Sequence, residues 1–239
     1  MPDGFFAGFG GIGLTAAAAL AIAAVLRGRI GWGWLAAALA LMVAYELALT
    51  GLYGAVRLPG LRGDWNWSGK VMAVGLSLAI ATAPAIGWRR VGLTLRQDRR
   101  GLPGALVLSA MLVAVFVALA LASPGEGADA DTLAFQLTMP GLDEELFYRG
   151  VLLLMLNEAF GRPLRVLGAP MGWGALLSCL AFGLVHALGY EAGGFSLDPM
   201  TLALTGGPAV LLVWLREKTG SLLLPVVLHN FANSIFLLL

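Results

Sequence analysis

The stretch DEELFYRG, from Asp143 to Gly150, places four charged side chains in an otherwise strongly apolar sequence. Hydrophobic residues make up 59% of the 239-residue chain, charged residues only 12%, and the mean hydropathy is +0.85. This composition predicts a polytopic membrane protein. Because a charged group at the centre of a bilayer costs roughly 2.5 to 3.5 kcal/mol or more, we expect the charges of this stretch to serve a function.

The two adjacent glutamates of this stretch are predicted to have different surroundings. On an α-helix, Glu145 and Arg149 are four residues apart with the acid nearer the N-terminus, which is the favourable order for an ion pair. Arg149 is therefore expected to neutralise and fix Glu145. Glu144 is turned about 100° away on the same helix and is expected to be unpaired. Two carboxylates in different environments are typical of acid–base chemistry.

The apolar segments predict an all-α fold, a polytopic membrane helix bundle. About 20 apolar residues span a bilayer as a helix, and this rule gives about eight transmembrane helices. Their ranges are 5–26, 31–54, 70–88, 102–123, 141–160, 169–188, 199–215 and 220–239. We predict one integral-membrane domain, 1–239, with lead-in helices in 1–123 and catalytic helices in 133–239. The fifth segment is expected to begin after Pro140 and Gly141, so that its carboxylates lie near the positive end of the helix dipole.

Successive loops of a helix bundle lie on alternate sides of the membrane, and this assignment puts most of the basic residues on one side. That side holds Arg27, Arg29, Arg89, Arg90, Arg96, Arg99, Arg100, Arg162, Arg165, Arg216 and Lys218. The other side holds Arg57, Arg62 and Lys70 with the acidic Glu126, Asp129, Asp131, Glu191 and Asp198. The positive-inside rule makes the first side cytoplasmic and puts both termini outside. The first segment follows an acidic flank, MPDGFF, which is typical of a retained helix and not of a cleaved signal.

Three further features have structural interpretations. Glu46, beside Tyr45, is expected to be a protonated or hydrogen-bonded acid at a helix interface. Trp65 and Trp67 are expected to be interfacial anchors. The single cysteine, Cys179, excludes a disulfide within the chain.

The two histidines of the chain, His186 and His229, both lie in apolar segments. Phe182 precedes His186 by one turn, and His229 shares a helix face with Asn233. Glu144 and His186 lie near the same membrane face, and His229 is about 13 Å into its segment at 1.5 Å per residue. These side chains are therefore predicted to meet in one pocket, in the outer half or the middle of the bilayer.

This inventory fits the hydrolysis of an acyl bond without a covalent intermediate. Glu144 and His186 could activate a water molecule, while His229 and Asn233 could hold the developing oxyanion. No cofactor is required in this mechanism, which we prefer. The sequence leaves open a zinc site formed by Glu144, His186 and His229 with water in the remaining position.

Other classes of protein fit less well. Cys179 lies about 10 Å along the helix axis from His186, too far for a thiol–imidazole pair, and neither a GxSG nor a GxGD motif is present. A transporter or channel is the main non-enzyme alternative, since intramembrane Glu, Arg and His also mark ion pathways. No inverted repeat supports it. The third option, a non-catalytic scaffold, would not need this combination of glutamates, histidines and asparagine. The basic residues flank helices, so no nucleic-acid partner is expected.

At these residues the C-terminal half of the chain resembles the CPBP family, the type II CAAX prenyl proteases and their bacterial relatives associated with bacteriocin processing and immunity. Three motifs carry the resemblance: EELFYR at Glu144–Arg149, FGLVH at Phe182–His186 and HNFAN at His229–Asn233. Tyr148 stands where the family more usually has phenylalanine.

The resemblance implies an all-helical intramembrane endopeptidase of a prokaryotic inner or plasma membrane. In it, Glu144 and His186 activate water, and His229 and Asn233 form the oxyanion site. Glu145 and Arg149 support them. The implied partners are membrane lipid and a protein or lipidated-peptide substrate with a C-terminal tail. Because the charge count puts the pocket nearer the outside, we expect a membrane-anchored or exported substrate with a sorting tail, and not a prenylated cytosolic one.

Overall fold

The computed structural model describes residues 3–26, 28, 30–61, 63–123, 125 and 127–239, and this part of the chain is mainly helical. The helices are α1 (Asp3–Leu26), α2 (Trp32–Leu49), α3 (Gly51–Gly54), α4 (Trp67–Ala81), α5 (Leu102–Ala122), α6 (Ala130–Pro140), a π-helical segment (Gly141–Leu152), α7 (Leu153–Phe160), α8 (Trp173–Ala187), α9 (Pro199–Thr219) and α10 (Leu223–Leu238). Two short antiparallel hairpins flank α8: β1 (Leu164–Val166) with β2 (Ala169–Met171), and β3 (Leu188–Glu191) with β4 (Gly194–Leu197). The predicted fold class, a helical membrane bundle, is confirmed.

Each of the eight predicted segments overlaps a helix in the described part of the chain. Within that part, α1, α2, α5 and α9 are long and apolar enough to cross a membrane, while α4, α8 and α10 are apolar but have only 15, 15 and 16 residues. The number of crossings and the side of the termini stay predictions. Of the loop charges used for that topology, Arg27, Arg29, Arg62 and Glu126 lie outside the described residues.

The start of α4 differs from the prediction and changes the position of one charge. Asn66 caps this helix, because its side chain accepts a hydrogen bond from the Gly69 N–H at 3.0 Å. The helix therefore begins at Trp67, three residues earlier than predicted. Lys70, which we predicted to be a loop charge, is buried in the first turn of α4.

The predicted stop and restart at Pro140 is wrong, because one continuous helical rod runs from Ala130 to Phe160. Pro140 and Gly141 both have helical backbone angles. A proline ring normally clashes with the carbonyl four residues earlier in an α-helix, yet here the rod continues directly into turns of the wider π geometry. Such turns often occur at functional sites. The acidic residues of the segment consequently lie in the middle of the rod, and the helix dipole does not account for them.

The π-helical segment is the buried centre of the molecule. All its residues except Leu142 and Glu144 are buried, and α2, α4, α8 and α10 pack around the rod that contains it. The helices α1 and α5 instead expose many large apolar side chains, such as Leu14, Leu106 and Val107. This arrangement suits a bundle whose charged centre is shielded from lipid.

Glu46 lies in a minor polar contact away from this centre. It is buried in α2 and accepts a hydrogen bond from the Tyr53 hydroxyl at 3.0 Å. The prediction of a hydrogen-bonded acid at a helix interface is confirmed.

Gly141 allows α10 to approach the rod closely. Its N–H donates to Asn230 Oδ1 at 2.7 Å, and a Cβ at this position would lie 2.6 Å from that oxygen and 2.7 Å from the Val226 carbonyl oxygen. We expect Gly141→Ala to lower the free energy of unfolding by about 1 to 3 kcal/mol, the usual effect of adding a methyl group to a well-packed contact. The measurement is equilibrium unfolding of the purified variant in mixed micelles.

Gly75→Ala is the matched control, because a Cβ on Gly75 in α4 would meet nothing within 4 Å. This variant should be at least as stable as wild type, since alanine is the better helix former. Equal stability of the two variants would contradict the role of Gly141 in the close approach of α10.

Candidate active site

Three elements bring the residues predicted for the site to one central cavity. The π-helical segment supplies Glu144 and Arg149, α8 supplies His186, and α10 supplies His229 and Asn233. The cavity has a volume of about 820 Å³, and all five of these residues line it. Its remaining wall is largely apolar and includes Leu112, Val115, Phe116 and Leu119 of α5 with Leu204 and Leu212 of α9. The convergence expected from the sequence is therefore present.

Glu145 and Arg149 form the predicted i,i+4 pair at the cavity wall. Arg149 Nη1 lies 3.2 Å from Glu145 Oε1, and both side chains are fully buried. The guanidinium carbon of Arg149 lies 4.0 Å from the centre of the Phe182 ring, where a cation–π contact adds to the ion pair. The predicted pairing of Glu145 is confirmed.

His229 is oriented by the same carboxylate. Its Nδ1 lies 2.7 Å from Glu145 Oε1, and because a carboxylate accepts only, this nitrogen donates. The other ring nitrogen, Nε2, lies 3.6 Å from Glu144 Oε2. His229 is therefore held between the two glutamates, with its Nε2 on the side of Glu144.

The sequence suggested that Glu144 would be unpaired, but in the structure it has a partner. Its Oε1 accepts a hydrogen bond from Lys70 Nζ at 2.5 Å. Its Oε2 is buried and has no hydrogen-bond partner among the described residues. The prediction failed because Lys70 was assigned to a loop, whereas α4 brings it against the π-helical segment.

Asp143 and Tyr45 are further members of this charged cluster that sequence reasoning missed. Asp143 is fully buried, and its Oδ2 accepts from the Tyr45 hydroxyl at 2.7 Å and lies 2.9 Å from Lys70 Nζ. The signal that could have found them is the charge balance of the stretch. Three consecutive acids with one arginine need another cation if they are buried together.

His186 is positioned by the last turn of α8. Its Nδ1 lies 2.8 Å from the Phe182 carbonyl oxygen, which can only accept, so Nδ1 carries the proton and Nε2 is left as an acceptor. Asn233 lies one turn after His229 on the cavity wall, as predicted, and its Nδ2 donates to Gln136 Oε1 at 3.2 Å.

Trp65 and Trp67 hold the start of α4 against α6. The Trp65 Nε1–H donates to Thr132 Oγ1 at 2.9 Å, and the Trp67 Nε1–H donates to Asp131 Oδ1 at 2.9 Å. The Trp65 ring also stacks on the Phe135 ring, and Trp65 and Phe135 both line the central cavity. Trp65 is therefore a wall residue of the cavity, while its role as an interfacial anchor stays a prediction.

The zinc site that the sequence left open, with Glu144, His186 and His229 as ligands, stays an untested alternative. Among the described residues, no three His, Cys, Asp or Glu side chains are grouped as ligands of one metal ion. One oxygen of Glu144 is bonded to the Lys70 ammonium, so only its other oxygen could ligate a metal ion.

Comparison with known proteins agrees with this geometry. A family model described as type II CAAX prenyl endopeptidase Rce1-like matches residues 128–235. Neither the curated proteins nor the solved structures gave a match. The matched range contains the two glutamates, both histidines and Asn233, whereas Tyr45 and Lys70 precede it. The segment 128–235 of this membrane protein is therefore similar to the Rce1-like family of type II CAAX prenyl endopeptidases.

Proposed function

We propose that this protein is an intramembrane endopeptidase that hydrolyses a peptide bond near the C-terminal tail of a membrane-associated substrate. The observation that carries the proposal is Glu144. One of its carboxylate oxygens is held by Lys70, while the other is free of protein hydrogen bonds among the described residues and lies on the His229 side. A fixed carboxylate with one available oxygen, beside two oriented imidazoles, is suited to activate water.

In the proposed reaction, water donates one hydrogen bond to Glu144 and one to Nε2 of His186. Glu144 takes a proton as the water oxygen forms a bond to the carbonyl carbon of the substrate. The tetrahedral intermediate then collapses, the carbon–nitrogen bond breaks, and the proton on Glu144 passes to the leaving amine. This sequence uses no covalent enzyme intermediate and leaves the enzyme in its starting protonation state.

His229 and Asn233 are proposed to stabilise the oxyanion of that intermediate. With Nδ1 donating to Glu145, His229 can donate from Nε2 only as an imidazolium. The carboxylates of Glu144 and Glu145 on either side are partners for that charge. The amide of Asn233, on the same face of α10, is the second donor. Preorganised donors of this kind are worth about 10² to 10³ in turnover for each donor.

The proposed substrate is an exported or membrane-anchored protein with a C-terminal sorting tail. The loop charges support a cavity mouth on the acidic, outer side, because Trp65 and Asn66 from the loop before α4 line the cavity. The apolar wall formed by α5 and α9 is suited to an apolar tail. A prenylated cytosolic tail, as the family's name describes, is the competing substrate.

The test is cleavage of matched tail peptides, prenylated and unprenylated, by the purified protein in detergent or vesicles. We expect the unprenylated sorting tail to be cleaved, and we expect a chelator of zinc to change the rate by less than about twofold, since the glutamate mechanism needs no metal.

Each contrary result contradicts one part of the proposal. Cleavage of the prenylated tail alone would overturn the substrate class, and loss of activity with chelator, restored by zinc, would overturn the metal-free mechanism. No cleavage of any tail would contradict the peptidase itself. A cytoplasmic location of a tag after Leu239 would remove the topological support for a sorting tail.

A further inference from the structure

A buried lysine from the N-terminal half of the chain completes the site. Lys70 lies in α4, outside the range that matches the family, and its side chain is only 11% exposed. We infer that Lys70 is a positioning residue of the proposed peptidase, which fixes one oxygen of Glu144 so that the other is presented to water. This inference rests on the proposed function and assigns a role to a residue that the three family motifs do not include.

The first argument is the geometry of the ammonium. Lys70 Nζ lies 2.5 Å from Glu144 Oε1 and 2.9 Å from Asp143 Oδ2. A lysine ammonium has three donors, so two of them are engaged by two different carboxylates. Hydrogen bonds between charged groups are about twice as strong as neutral ones. The position of the ammonium is therefore set by two acids at once.

The second argument is what this contact does to Glu144. The last torsion of a glutamate side chain is broad and roughly two-fold, so a free carboxylate exchanges its two oxygens easily. The bond from Lys70 to Oε1 removes this freedom. Oε2 then keeps its place near His229 Nε2, at 3.6 Å. One defined oxygen at the cavity is what a general base needs.

The third argument is that α2 holds both the partner of Lys70 and the helix that carries Lys70. The Tyr45 hydroxyl of α2 donates to Asp143 Oδ2, the same oxygen that Lys70 contacts, and the Tyr45 ring stacks on Phe147 at 3.6 Å between centroids. Gly69 allows α4 to pack closely here, because a Cβ on it would collide with the Leu49 carbonyl oxygen at the end of α2. The lead-in helices thereby contribute directly to the chemistry.

The kinetic test compares Lys70→Met with Lys218→Met. Lys218 is the only other lysine of the chain, and it donates to the Leu167 carbonyl oxygen away from the cavity. We expect Lys70→Met to lower kcat by about 10²-fold, the usual effect of a misplaced catalytic group, with KM within about threefold of wild type. Lys218→Met should behave as wild type. Lys70→Arg, which keeps a cation, should recover a large part of the lost kcat.

A second measurement does not depend on activity. Because the chain has two lysines, selective ¹⁵Nζ-lysine labelling gives two side-chain NMR signals, which Lys218→Arg assigns. Glu144→Gln and Asp143→Asn should each shift the Lys70 signal and leave the Lys218 signal in place. This measurement tests the contact even if Lys70→Met does not fold.

The outcomes separate this inference from the proposed function. If wild type cleaves, Glu144→Gln does not, and Lys70→Met keeps kcat within about threefold of wild type, the inference is overturned and the peptidase stands. A loss confined to KM, or a Lys70 signal that neither acid variant moves, also overturns it. Absence of cleavage by wild type, with the Lys70 signal shifting as expected, contradicts the peptidase and leaves the contact established.

Discussion

Glu144→Gln is expected to lower kcat for tail cleavage by about 10³-fold, within the range of about 10² to 10⁴ that general acid–base catalysis contributes. Glutamine has nearly the same size and shape, so the packing of the π-helical segment should be retained. Its amide cannot take a proton from water, which is the step we assign to Glu144. KM should change little, because the apolar cavity wall that we propose to contact the substrate is the same in both proteins. The measurement is a full kinetic analysis of the purified variant.

Glu158→Gln is the matched control for this variant. Glu158 lies in α7, on the same helical rod, but it pairs with Arg90 at 2.8 Å and its side chain is 32% exposed. An exposed pair of this kind contributes about 1 kcal/mol or less to stability, so this variant should retain wild-type turnover. If Glu144→Gln retained more than about a tenth of wild-type kcat, Glu144 would not be the general base.

Local sequence patterns predicted the fold class and much of the site, because the features concerned are local. The apolar runs give the helices, and the four-residue spacing of Glu145 and Arg149 gives their ion pair, which the structure confirms. The shared face of His229 and Asn233 follows from the same periodicity. A scarcity of polar residues helped as well, since two histidines in apolar segments stand out against the rest of the chain.

The missed features depend on contacts between distant parts of the chain. Lys70 and Glu144 are 74 positions apart, and Tyr45 and Asp143 are 98 positions apart. No helical periodicity encodes such pairs, which form only when α2 and α4 pack against the rod. The start of the fifth helix was missed for a related reason. Pro140 is a helix breaker in isolation, but here the rod continues into π turns, and the Gly141 N–H donates to Asn230 of α10.

Arg149→Met is expected to reduce the free energy of unfolding by about 3 to 5 kcal/mol, the usual effect of removing one partner of a buried ion pair. Arg149 and Glu145 are both fully buried, so the Glu145 carboxylate cannot gain hydration when the guanidinium is removed. Its hydrogen bond from His229 Nδ1 would remain, but its ion pair would be lost. The measurement is equilibrium unfolding in mixed micelles, followed by circular dichroism.

The double variant Arg149→Met with Glu145→Gln tests whether the loss comes from the uncompensated charge. It removes both charges, while the glutamine oxygen can still accept from His229 Nδ1. Replacing both partners of a buried ion pair is often neutral, so the double variant should regain most of the lost stability. Arg90→Met serves as the exposed counterpart, with an expected loss of about 1 kcal/mol or less. If the double variant were no more stable than Arg149→Met, the loss would come from packing against Phe182, and the ion pair would not be what stabilises the buried glutamate behind His229.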